Sequence, residues 1–173
     1  MRKTITIAVL LAAGLFGLSQ VAAAQTSCQS FQAMSQWTAG TTPFAGPMYV
    51  LFGGEMLIDE NAHWTEFSQE KCNGATCQGS GGKLLLSFGN NDTLTLTVQH
   101  GVYTPDYTTV PGFGTWRAAM RIVAGTGRFE KATGLIVSVG PWATWFDENG
   151  WHGRFSGELT GTVCNVLPGK SKP

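Results

Sequence analysis

Asp92-Thr93-Leu94-Thr95-Leu96-Thr97-Val98-Gln99-His100-Gly101-Val102-Tyr103 decides the fold class. Every second position sets Leu94, Leu96, Val98, His100 and Val102 on one face of an extended chain, whereas a helix would need a spacing of about 3.6. Outward from this strand, segments of similar character lie at 30–38, 47–58, 63–71, 82–88, 115–123, 134–146 and 151–164. Turns rich in Gly, Asn or Pro separate them. The segments and 92–103 together number eight, and none has a convincing helical period beyond about two turns. Short connections pair consecutive strands antiparallel. The predicted fold is all-β: an eight-stranded antiparallel up-and-down barrel with a short closing turn or helix near one end, with an open sandwich as the alternative.

Composition agrees with a packed domain. Six Trp and ten Phe among 173 residues, with 13% charged, exclude a disordered chain. Formal charge is zero and Lys/Arg do not cluster, so no nucleic-acid partner is expected. Arg2 and Lys3 precede the apolar run from Ile5 to Leu18, and Ala22-Ala23-Ala24 supplies small residues at a cleavage site. The expectation is a signal peptide over 1–24, a single barrel domain over 25–173, a secreted or periplasmic location and no membrane span in the mature protein. The mature chain then has 149 residues and nine basic against eleven acidic side chains.

In an oxidising compartment, Cys28, Cys72, Cys77 and Cys164 read as disulfides. Four cysteines allow three pairings. Cys72 and Cys77 bracket the turn Asn73-Gly74-Ala75-Thr76, while Cys28 and Cys164 lie near the two ends of the mature chain. The expected pairs are 28–164 and 72–77. No His stands at a matching metal-ligand spacing, so neither a metal nor another cofactor is expected.

The most specific stretch is Gly125-Thr126-Gly127-Arg128-Phe129-Glu130-Lys131-Ala132-Thr133-Gly134. With Gly112-Phe113-Gly114-Thr115 before it and Gly157-Glu158-Leu159-Thr160-Gly161-Thr162 after it, it resembles the signature loop of the allene oxide cyclase and dirigent proteins and of secreted bacterial proteins sharing their barrel. The resemblance covers about residues 112–164. It implies an eight-stranded barrel with an internal pocket for an apolar or phenolic small molecule. Physically, Gly125, Gly127 and Gly134 permit positive φ and close backbone approach, and Phe129 with Ala132 packs one turn onto the barrel end. The loop reads as a plug, with Arg128 and Lys131 as solvated rim charges. It lacks the spacing of a phosphate-binding loop.

Chemistry-bearing constellations are sparse, and no catalytic residue is assigned. His63, His100 and His152 form no paired motif, and there is no Gly-x-Ser-x-Gly elbow. Asp59-Glu60 and Asp147-Glu148 fall in expected turns, within stretches 59–64 and 147–152 that echo each other. Arg117 with Arg121, and His152 with Arg154 and Glu158, are expected to face solvent. His100 stands out on an otherwise aliphatic face and is expected to line the pocket, with Tyr103 and Trp116 as wall residues. Aromatics gather at Trp142, Trp145 and Trp151 and at Tyr107 and Phe113. Three readings follow: a secreted barrel binding a small apolar or phenolic molecule; a cofactor-independent cyclase, isomerase or stereochemical guide acting on one; or an interaction module, with a homo-oligomer as a possible partner arrangement.

Overall fold

The computed structural model describes residues 27–39, 44–65, 68–73, 76–104 and 112–168, and the leader expected at 1–24 lies outside them. Ten strands form one sheet: β1 (Cys28–Ala39), β2 (Phe44–Phe52), β3 (Glu55–Trp64), β4 (Gln69–Asn73), β5 (Thr76–Ser80), β6 (Lys83–Ser87), β7 (Thr93–Thr104), β8 (Gly112–Thr126), β9 (Thr133–Asp147) and β10 (Gly150–Cys164). Their order is β4-β5-β7-β6-β3-β2-β1-β10-β9-β8, and β8 pairs back onto β7. β5 and β6 lie along successive parts of β7, so they make one interrupted stave, and β4 and β3 make another beside it. The described residues form a closed antiparallel barrel of eight staves with one 3-10 turn among them, Gly127–Phe129.

Boundaries shift where turn chemistry intervenes. The expected strand 47–58 is two strands, because Gly53 and Gly54 both have positive φ, at 56° and 88°, and turn the chain between β2 and β3. The segment 63–71 is broken between β3 and β4, and β5 is a further short strand. Asp59-Glu60-Asn61 lies inside β3, not in a turn, whereas Asp147 closes the β9–β10 hairpin. The two stretches still share one device. Asp59 accepts the N–H of Asn61 at 2.9 Å and Asp147 that of Asn149 at 2.7 Å. In β3 the second carboxylate oxygen also accepts the Ser87 N–H at 2.7 Å, so a buried Asp59 is satisfied by backbone donors.

Period two places Phe31, Met48, Val50, Leu84, Leu94, Leu96, Met120, Ile136 and Leu159 inside, all buried. Phe129 plugs one end, its ring 5.6 Å from Phe52 and 5.7 Å from Phe88. Gly127 has φ of 59°, and a Cβ there would lie 2.1 Å from Asp92 Oδ1. Gly125 and Gly134 are needed for close approach instead, since a Cβ would meet Phe129 O at 2.3 Å and Thr162 O at 2.1 Å.

Arg128 differs from its expected role. Its side chain is only 13% exposed and pairs with Glu55 at 2.6 Å and Asp92 at 3.1 Å, while its backbone N–H donates to Asp92 Oδ1. The guanidinium also lies 5.2 Å from the centre of the Phe129 ring. It is a clamp on the plug and not a solvated charge; Lys131 is exposed.

Both disulfides join residues directly opposed in antiparallel pairs, Cys28–Cys164 between β1 and β10 and Cys72–Cys77 between β4 and β5. Among the described residues no helix is long and apolar enough to cross a membrane. The two disulfides are compatible with an extracytoplasmic protein.

Two measurements test the plug. Gly127→Val and Arg128→Ala are each expected to lower stability by about 1–3 kcal/mol in thermal or urea unfolding, while Lys131→Ala stays within about 0.5 kcal/mol; a neutral Arg128→Ala contradicts the clamp. Replacing both Cys28 and Cys164 with Ser is expected to cost about 2–5 kcal/mol by the same measurement.

Candidate functional site

The end of the barrel opposite the plug is built from aromatic side chains. Trp37 of β1, Trp64 of β3 and Trp116 of β8 pack together, with ring centres 5.6 Å (Trp37–Trp64), 5.6 Å (Trp37–Trp116) and 6.0 Å (Trp64–Trp116) apart. Phe44 and Phe155 stand edge to face at 5.0 Å. With Val102, Tyr103, Arg117 and Ala118 these residues line a recess that leaves room for about 40 Å³. One water needs roughly 10–15 Å³ and a drug-sized ligand several hundred. The recess therefore has room for a group of a few atoms and not for a whole folded substrate.

Of the three expected pocket residues, Tyr103 and Trp116 come together here, and His100 does not. His100 is exposed on the outer wall. The cause is a β-bulge: Val98 faces Met120 and His100 faces Ala119, so two steps along β7 match one along β8. The extra residue, Gln99, reverses the alternation. Gly101 and Tyr103 point inward where the simple period-two pattern puts His100 and Val102.

Local chemistry fixes the walls. The Tyr103 hydroxyl donates to Glu70 of β4, anchoring the ring at the recess edge. Trp116 Nε1 donates to Ser156 O at 3.3 Å, and its indole covers Gly157, where a Cβ would lie 2.6 Å from Cζ2. Trp37 is 4% exposed, and its buried Nε1 has no acceptor among the described residues. Sequence reasoning missed Trp37, Trp64, Phe44 and Phe155 as wall residues. Trp37 and Phe155 are direct partners in the β1–β10 register, a relation visible once the end strands are paired.

Arg117, Arg121, Arg154 and Glu158 are exposed as expected, and His152 is half-buried. Tyr107 lies outside the described residues, as does the side chain of Trp151. At the β9–β10 tip His152 Nε2 lies 2.9 Å from Asp147 Oδ1, stacked on Trp145 at 5.5 Å, with Arg154 5.9 Å from the same indole. The Asn149 N–H, and then His152, hold the Asp147 carboxyl below its ordinary range. Among the described residues no three His, Cys, Asp or Glu side chains form a group that could hold a metal ion.

Comparison of the chain with protein-family models, curated proteins and solved structures yields no significant match.

The site yields two expectations. Gly157→Ala displaces Trp116, seen as a shift in tryptophan emission and a loss of about 1–3 kcal/mol in unfolding; unchanged emission contradicts the packing. A depressed folded-state pKa makes the Asp147 contacts fully present above the usual aspartate range and lost as pH falls through and below it. Carboxyl NMR titration is expected to place Asp147 below an ordinary Asp and to show His152→Gln moving it upward.

Proposed function

We propose that this barrel is an extracytoplasmic binding protein that receives the end of a small apolar or aromatic molecule at its aromatic mouth. The observation that carries the reading is the convergence of Trp37, Trp64, Trp116, Phe44, Phe155 and Tyr103 around an unfilled recess at one end of an otherwise packed barrel. Flat aromatic walls bury area at low entropic cost and suit a planar or branched apolar head. The leader-like residues 1–24 and the two disulfides support an exported location. Kinship with the allene oxide cyclase and dirigent barrels is part of the proposal, supported by the 125–134 loop and by the eight-stave closure.

Binding is favoured over cyclase, isomerase or guide activity on grounds of volume. A flexible substrate folded inside the barrel needs several hundred Å³, and the interior is occupied by Met48, Leu84, Leu94, Leu96, Met120, Ile136 and Leu159. Positioning catalysis has no space there.

A specific observation favours a second reading, contact with another protein. Met34, 67% exposed, faces Tyr49 across β1–β2, Tyr49 faces Ile58 across β2–β3, and Leu51 faces Met56 beside them. Exposed apolar side chains on three adjacent strands are the kind of surface that a homo-oligomer buries.

Tryptophan emission during titration with 4-ethylphenol tests the main reading. A saturable change is expected, weakened about tenfold or more by Trp116→Ala and unchanged within about twofold by His100→Leu. Absence of saturable change, together with a concentration-dependent mass in sedimentation abolished by Tyr49→Lys, would move the assignment to the second reading.

A further inference from the structure

Resting on the binding reading just given, we propose that the recess selects ligands presenting a hydrogen-bond acceptor, a carbonyl oxygen above all, and that the Trp37 indole N–H donates to it. Trp37 is a recess wall, almost fully buried, and its Nε1 meets no acceptor among the described residues. Buried donors without a partner are rare in folded proteins, and each calls for an account.

The neighbouring polar groups do not supply one. Trp116 Nε1 and the Arg117 guanidinium are donors and cannot accept from Trp37, and the Tyr103 hydroxyl, which donates to Glu70, makes no hydrogen bond with Trp37 Nε1. A water fits the available space of about 40 Å³, but a stable buried water makes about two to four hydrogen bonds, and apart from Tyr103, Arg117 and the indoles the lining is Phe, Val and Ala. A carbonyl oxygen needs one donor and is otherwise content against apolar surface. It is also narrow enough for the enclosed space, leaving the remainder of the ligand in the mouth.

Positive charge is selected against. A cation would find the indole N–H a donor where it needs an acceptor, and Arg117 sets a second positive group in the lining. The selectivity is therefore for acceptor over donor.

Acetophenone and ethylbenzene form a matched pair, with C=O in one where the other has CH₂. Both are titrated into ¹⁵N-labelled protein, and the indole Hε1 resonances are followed. The Trp37 signal is assigned by its absence in Trp37→Phe. Acetophenone is expected to bind about five- to tenfold more tightly than ethylbenzene, the worth of about one net hydrogen bond, and to move the Trp37 Hε1 signal downfield. The preference, read as the ratio of the two affinities so that the apolar wall both probes lose cancels, is expected to vanish in Trp37→Phe. Equal affinities in the unaltered protein, or a ketone preference that survives Trp37→Phe, overturn the acceptor assignment but leave the recess as a binding site. Failure of both probes to shift any recess indole overturns the binding reading and this inference together. The matched-pair comparison in the unaltered protein decides the point even where Trp37→Phe fails to fold.

Discussion

A sheet closed on itself encloses a fixed volume, and the glycines of β10 set how that volume is filled. Along its inward face β10 reads Gly153, Phe155, Gly157, Leu159, Gly161 and Val163. Small and large alternate, which lets bulky groups from facing strands interdigitate. Trp116 lies directly over Gly157, and from there it reaches Trp37 and Trp64. Were β10 uniformly large, the three indoles would have nowhere to meet, and the barrel would have to open or flatten.

The two ends are closed by different means. At the plug, Phe129 seals the core and a charge clamp from Arg128 to Asp92 and Glu55 holds the short turn in place. At the mouth, aromatic rings pack against one another without a covering turn among the described residues, which leaves the recess. One end is thus locked by charge and the other packed by rings. The binding reading depends on this asymmetry more than on any single side chain.

Much of the architecture was legible because it rests on periodicity. Leu94, Leu96 and Val98 alternate cleanly, and turn residues punctuate the staves, so the class and the stave count followed from the chain. The disulfide pairs were legible for a geometric reason: an up-and-down barrel makes its first and last strands neighbours. His100 was misplaced because a bulge is a one-residue event that leaves both flanks looking regular. Gly53-Gly54 carried a usable signal, since adjacent glycines fit a two-residue hairpin turn, and reading 47–58 as one strand passed over it. β5 carried none, because Thr-Cys-Gln-Gly-Ser lacks an apolar alternation. The mouth was only partly visible. Trp37, Trp64 and Trp116 are far apart in the chain, and only the register of the closed sheet brings them together.

The bond between Cys28 and Cys164 also governs how the molecule carries mechanical load. It joins the first and last staves at facing positions, beside the hydrogen bond from Asn165 N to Ser27 O. Tension applied through the segments outside the barrel passes from one sulfur to the other and bypasses the 136 residues of sequence separation between them. The ladder between β1 and β10, which would otherwise unzip pair by pair from that end, is shielded from the pull. A domain wired in this way stays folded under stretching until the sulfur–sulfur bond is cut, so a reductant and not force sets its breaking point.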